Sequence, residues 1–169
     1  MSVLGEIGHA LADEFAVPDA GDMTVMIARV LMAAILGGII GWEREQKGRA
    51  AGLKTHILVS IGSALFVLAP LMHGVSADEV TRVMQGIVSG IGFLGAGAIL
   101  KLDQGERIEG LTTAAGIWMT AAIGMAAGMG QEWVAIITTI VAFIVVGLLP
   151  RLSGQDRGEP HSSISGHDQ

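Results

Sequence analysis

From Met23 to Trp42 the chain is almost continuously apolar; it then breaks into the polar stretch WEREQKGRAAGLK and alternates apolar blocks with short connections as far as Leu149. A helix needs about 20 apolar residues to cross a hydrocarbon core of about 30 Å. Five blocks qualify, over residues 23–42, 55–73, 83–100, 111–129 and 133–149. The third and fourth are diluted by glycine and alanine, which membrane helices tolerate better than soluble ones. The expected fold class is therefore all-α, a polytopic membrane protein of five transmembrane helices. Ahead of the first block, Leu4, Ile7, Leu11 and Phe15 recur at helical spacing before Pro18. That pattern fits an amphipathic helix lying on the outer membrane surface or a frayed polar terminus. The chain divides into a periplasmic segment 1–22, a membrane domain 23–150 and a polar, Gly- and Ser-rich tail 151–169, expected to be disordered and cytoplasmic.

Charge gives the bundle a direction. Lys and Arg are retained on the cytoplasmic side of short loops. Arg44, Lys47, Arg49 and Lys54 follow the first block, Lys101 and Arg107 follow the third, and Arg151 and Arg157 lie in the tail. The opposite side receives only Arg82, and Arg29 lies inside the first block, where it is expected to snorkel to the interface. The N-terminus is thus expected outside and the C-terminus in the cytoplasm of a bacterial inner membrane. The first 28 residues hold no Lys or Arg, unlike a secretory signal peptide.

Composition removes several functions. With no cysteine, disulfides, zinc-thiolate sites, iron-sulfur clusters and thiol nucleophiles are excluded. A net charge of -6 and the lack of a basic run with interleaved aromatics argue against a nucleic-acid partner. No nucleophile, base and orienting residue can be grouped from the sequence, so an enzyme is not expected and no cofactor is assigned.

Two kinds of position remain. Gly90, Gly92 and Gly95 have the G-x-G-x-x-G spacing of a dinucleotide fingerprint, but they lie inside a membrane block rather than after a strand. Small residues at four-residue spacing let membrane helices approach closely. Gly37 and Gly41 in the first block, Gly86, Gly90, Gly92, Gly95 and Gly97 in the third, and Gly116 and Gly124 in the fourth are therefore expected to pack the first, third and fourth helices together. Polar residues at membrane depth demand a partner or a wet cavity. His56, Ser60 and Ser63 share a face, as do Arg82, Gln85 and Ser89, while Thr112, Thr113 and Thr120 of the fourth block are expected to face inward with the glycine stripe. Glu43, Arg44 and Glu45, with Lys54, Thr55 and His56 nearby, form either an ordinary Glu43–Lys47 surface pair or an inward cluster able to hold an ion or an anionic head group. Two carboxylates can bind Mg²⁺ through retained waters, although basic residues so close favour an ion-pair network.

A slide of 58 positions lays Leu36–Gly37 on Leu94–Gly95 and GLKT, residues 52–55, on GLTT, residues 110–113. This is either a parallel repeat of two hairpins or a chance match of low-complexity membrane sequence.

Three stretches, GGIIGWEREQKGRAAGLKTHILVSIGSALF, RVMQGIVSGIGFLGAGAIL and GLTTAAGIWMTAAIGMAAGMG, resemble the MgtC/SapB family of bacterial inner-membrane proteins. The resemblance covers nearly the whole membrane part, and GIGFLGAG followed by GLTTAA is its most specific feature. It departs from the family pattern at Lys54, where Arg is usual, and an ammonium cannot reproduce a guanidinium fork. It also lacks the ACT-like C-terminal domain that many members carry after the membrane part, so ligand sensing by that domain is not carried over. The resemblance implies a role in adaptation to low magnesium and, in pathogenic members, in survival inside macrophages. It also implies a regulator acting by protein contacts in the bilayer, with the F-type ATP synthase as one partner. The competing expectation is a small transporter or channel whose polar path runs between the two hairpins past Glu43, His56, Ser60, Arg82, Gln85, Ser89 and Thr113. A homodimer or other homo-oligomer is expected to fill the remaining helix faces.

Overall fold

A computed structural model describes residues 3–101 and 108–147. Among them run six helices in the order α1 (Val3–Glu14), α2 (Ala20–Gln46), α3 (Leu53–Met72), α4 (Ala77–Gly97), α5 (Leu111–Gly128) and α6 (Glu132–Gly147). Between α4 and α5 lies a pair of two-residue strands, β1 (Leu100–Lys101) and β2 (Ile108–Glu109), paired antiparallel with Leu100 opposite Glu109. The protein is all-α, and α2, α3 and α5 are each long and apolar enough to cross a membrane. The predicted tail and Arg107, Arg151 and Arg157 lie outside the described residues.

Local chemistry fixes the helix ends. Asp19 caps α2, its Oδ1 accepting from the N–H groups of Gly21 at 2.7 Å and Asp22 at 3.1 Å. α4 opens on a reciprocal capping box, in which the Ser76 hydroxyl accepts from the Glu79 N–H and the Glu79 carboxylate accepts from the Ser76 N–H. The third apolar block therefore starts six residues earlier than its hydropathy predicts. The helix takes in Asp78, Glu79 and Arg82, because a cap rather than hydrophobicity sets its first turn. α3 begins at Gly52, which has no side chain to cap it; Oε2 of Glu45, eight residues back, accepts from the Leu53 N–H at 2.7 Å instead. α5 begins at Gly110, whose φ of +90° favours glycine and where a Cβ would collide with the Ala98 carbonyl.

α5 is the central helix, touching α2, α3, α4 and α6. Its neighbours can come close because both sides of the contacts are small. A Cβ on Gly124 would strike the Ser60 carbonyl, and one on Gly128 the Ala64 carbonyl. A Cβ on Gly37 of α2 would lie 2.6 Å from Ser60 Cβ, and one on Gly41 would lie 2.8 Å from His56 Cβ. Glycine on α2 and on α5 thus clamps α3 from two sides, with Ala33, Leu36, Ile40, Ala64, Ile123, Ala127, Ala135 and Ala142 filling the core beside it. The tight trio is α2, α3 and α5, not the first, third and fourth helices expected from glycine spacing. In α4 only Gly95 meets a neighbour, since a Cβ there would lie 3.6 Å from Ala114 Cβ, while Gly86, Gly90, Gly92 and Gly97 face open space.

The 58-residue offset reappears as geometry. Gly37 lies against His56, and their counterparts Gly95 and Ala114 also lie against each other. Gly52 and Gly110 are both helix N-caps, Gly52 in extended backbone and Gly110 at positive φ, so the two hairpins share equivalent positions but not one cap geometry. Arg29 reaches the α5–α6 turn, with its guanidinium against Gly130. Its Nη1 donates to the Gly128 carbonyl at 3.1 Å, placing a cation on the C-terminal end of α5, where the helix dipole is negative. Every residue of α1 is exposed, Leu4, Ile7 and Leu11 included.

Candidate functional site

The end of α2 carries the charge network of the bundle. Glu43 is 6% exposed and Arg44 1%, although both are ionisable and adjacent in sequence. Burial of that kind is tolerated only when each charge is paired and hydrogen-bonded. Arg44 Nε donates to Glu43 Oε2 at 2.6 Å, and Lys47 Nζ stands 2.8 Å from Oε1 of the same carboxylate. Both cations then reach α6: Arg44 Nη2 donates to the Val146 carbonyl at 3.0 Å and Lys47 Nζ to the same oxygen at 2.9 Å. One carboxylate is thus enclosed by two cations, and the whole group ties the end of α2 to α6. The i, i+4 pair Glu43–Lys47 expected at the surface is real, but it is sunk into the bundle.

Glu45 and Glu43, the two carboxylates considered for Mg²⁺, serve different masters. Glu45 caps α3 and Glu43 is spent on Arg44 and Lys47. Among the described residues no three His, Asp or Glu side chains are grouped as a metal site requires. Lys54 and Thr55 are exposed and stand outside the network, as does Thr112.

One turn into α3 the character changes from charged to neutral polar. His56 is fully buried; its Nδ1 lies 2.9 Å from the Gly52 carbonyl, which can only accept, so the proton belongs on Nδ1. Nε2 is left as an acceptor with no partner among the described residues, on the side of Gly116, where a Cβ would lie 3.4 Å away. Ser60 and Thr120 are also fully buried, and their hydroxyl oxygens have no partner among the described residues. Thr113 is buried beside them on α5, whereas Thr139 on α6 satisfies itself by donating to the Ala135 carbonyl. The interface of α2, α3 and α5 therefore holds a column of neutral polar groups above the ion pairs.

Arg82, Gln85 and Ser89 do not join that column. They project from the side of α4 that faces away from the rest of the chain. The polar path drawn through both sets of residues is not assembled within one chain. The sequence points to Glu43, Arg44, His56, Ser60, Thr113 and Thr120, but not to Lys47 as a bridge to α6 or to Arg29 as a cap. For Thr120 the signal is its place in the Gly116–Gly124–Gly128 stripe, which turns it inward. The bridges to α6 had none, since their acceptors are backbone carbonyls about 100 residues away.

A helical membrane bundle with small-residue contacts and a buried ion-pair network at one end defines the class, a polytopic inner-membrane protein. The chain belongs to the MgtC family, whose model matches residues 30–155. It is similar to "Putative magnesium transporter YhiD" of Escherichia coli strain K12, 42% identical over 134 residues that make up 75% of this chain and 61% of the relative. Protein SrpB of Synechococcus elongatus is 40% identical over 143 residues, 78% of this chain and 79% of its own length. Protein MgtC of Salmonella typhimurium is 44% identical over 115 residues, 68% of this chain and 48% of its own. The chain thus spans about three fifths of the YhiD relative and about half of MgtC. No solved structure matches it.

Proposed function

We propose that the protein is a non-enzymatic regulator in the inner membrane, contributing to adaptation to low magnesium and to cation and membrane-energy homeostasis through helix contacts in the bilayer. The observation that carries this reading is the outward face of α4, where Arg82, Gln85 and Ser89 stand exposed in line with Gly92 and Ala96. Polar side chains at membrane depth call for a polar partner, and small residues unused within the chain leave room for another helix. The charge network supports the same reading from the other direction. Two cations around one carboxylate repel a divalent cation and hold the bundle shut. The F-type ATP synthase, or another inner-membrane complex, is the kind of partner this surface would serve.

Growth of a strain lacking this chain at limiting magnesium, together with a membrane-potential dye, tests the reading. Wild-type protein restores both, and Gln85→Leu with Ser89→Leu, inserted at the normal level, does not. Full function of that double variant would overturn the proposal.

The transporter reading is favoured by His56 Nε2, Ser60 Oγ and Thr120 Oγ1, which have no partner among the described residues along the α2–α3–α5 interface, and by the name of the YhiD relative. Flux of Mg²⁺, K⁺, H⁺ and phosphate into liposomes decides between the two. Saturable flux abolished by Ser60→Leu would establish the transporter.

A further inference from the structure

Asp78, Arg82, Gln85, Ser89, Gly92 and Ala96 follow one another along α4 in alternating steps of four and three residues, and all six are exposed. That is the heptad spacing of a left-handed helix-helix seam. The opposite side of α4 is already occupied: Val80, Ile91 and Gly95 are buried against the chain's own helices. At about 1.5 Å rise per residue, Gln85 and Ser89 lie about 12 and 18 Å along a helix about 31 Å long, past its charged first turns and within its apolar stretch from Val83 to Leu94. A Cβ on Gly92, in line with them, would touch nothing within 4 Å.

The contrast with the other outer faces is sharp. α6 turns Trp133, Val134, Ile137, Ile140, Val141 and Ile144 outward, and α2 turns out Val25, Ile27, Leu31, Ile35 and Ile39. Those are faces made for lipid. α4 exposes Val88 and Phe93 as well, but between them the line of Gln85, Ser89, Gly92 and Ala96 offers an amide, a hydroxyl and small residues.

We infer that this seam is the contact between two copies of the chain, α4 lying parallel to α4. The inference rests on the proposed mode of action by helix contact and names its first partner. Two copies inserted in the same direction are related by a two-fold axis along the membrane normal, which brings each seam residue opposite itself. The seam residues suit that symmetry. A glutamine amide and a serine hydroxyl each donate and accept, so Gln85 and Ser89 can bond their own counterparts. Gly92 and Ala96 allow the backbones to close below them. Arg82 would repel its counterpart, but Asp78 of the partner subunit stands one layer away, supplying the opposite charge.

Absence of cysteine from the chain makes the test direct, because single-cysteine variants carry no background thiol. Cysteines are placed at Gln85, Ser89 and Gly92 on the seam, and at Leu94 on α4 and Ile137 on α6 as off-seam controls, and oxidised in native membranes. A disulfide needs its two Cα atoms within about 7 Å, so seam positions should give at least about fivefold more crosslinked dimer than the controls. In a liposome dilution series, Gln85→Leu should shift the monomer–dimer midpoint roughly tenfold toward monomer. The same membranes are labelled with a lipid-borne photoactivated diazirine. If no seam position crosslinks while the α4 face is shielded from the diazirine, another protein occupies it; the self-contact is then overturned and the regulatory reading stands. If the face neither crosslinks nor is shielded, both fail.

Discussion

Gly124 and Ser60 meet with the backbone of one against the backbone of the other, and the contact leaves no room for a methyl group. Gly124→Ala should therefore destabilise the protein by about 1–3 kcal/mol despite the gain in helix propensity, because α3 must move away from α5. Gly62→Ala makes the matched comparison, since a Cβ there touches nothing within 4 Å. Thermal unfolding in mild detergent should show a lowered midpoint for the first and an unchanged or raised one for the second. Arg44 gives a second expectation. Arg44→Met leaves the buried Glu43 with Lys47 alone and should cost about 3 kcal/mol, whereas the double variant Glu43→Gln/Arg44→Met, which removes both charges, should recover most of it. If the double variant is as unstable as the single one, charge pairing is not what Arg44 provides. Residue identities of this kind were only partly legible in the sequence. Glycine spacing implies that close contacts exist, but not whether a given glycine faces its own chain or the outside: Gly37 and Gly124 do the first, Gly92 the second, and nothing local distinguishes them.

Among the elements, the apolar blocks translate into α2, α3, α5 and α6 nearly as hydropathy places them, since burial in lipid and helix length are properties of the chain itself. α4 is the exception, because its first turn is set by Ser76 and Glu79 rather than by hydropathy. The start of α3 depends on Glu45, a residue belonging to the previous helix. Glu45→Ala should fray the first turn of α3 at a cost of about 1 kcal/mol, read as faster amide exchange at Leu53, with α5 unaffected. At the other end of the bundle the start of α2 should depend on pH. The backbone N–H groups of Asp22 and Gly21 hold the Asp19 carboxyl below its ordinary value of 3.8. A depressed value in the folded state means that the cap contributes fully above pH 3.8 and is lost as pH falls through the lower, folded value. Amide protection at Asp22 and Met23, corrected for intrinsic exchange and compared with Ala33, should decline over that acid window in the wild type and be low throughout in Asp19→Ala.

For the whole molecule the 58-residue offset has a consequence for topology. A parallel repeat of α2–α3 in α4–α5 would bring α2 and α4 into the membrane from the same side, with the α2–α3 and α4–α5 connections emerging together on the other. The positive-inside rule places those connections in the cytoplasm, where Arg44, Lys47, Arg49 and Lys54 cluster around the first. Buried ion pairing does not weaken this expectation, because Arg49 and Lys54 remain exposed and charged at that end. Ala50→Cys in the α2–α3 connection and Ala77→Cys at the start of α4 report the two sides, and both positions are exposed. An impermeant maleimide applied to intact spheroplasts should label Ala77→Cys at once and Ala50→Cys only after the membrane is opened. The opposite pattern would invert the protein and turn the Arg44–Glu43–Lys47 network toward the outside. Labelling of both before opening would mean that α2 and α3 do not form a membrane-spanning pair at all.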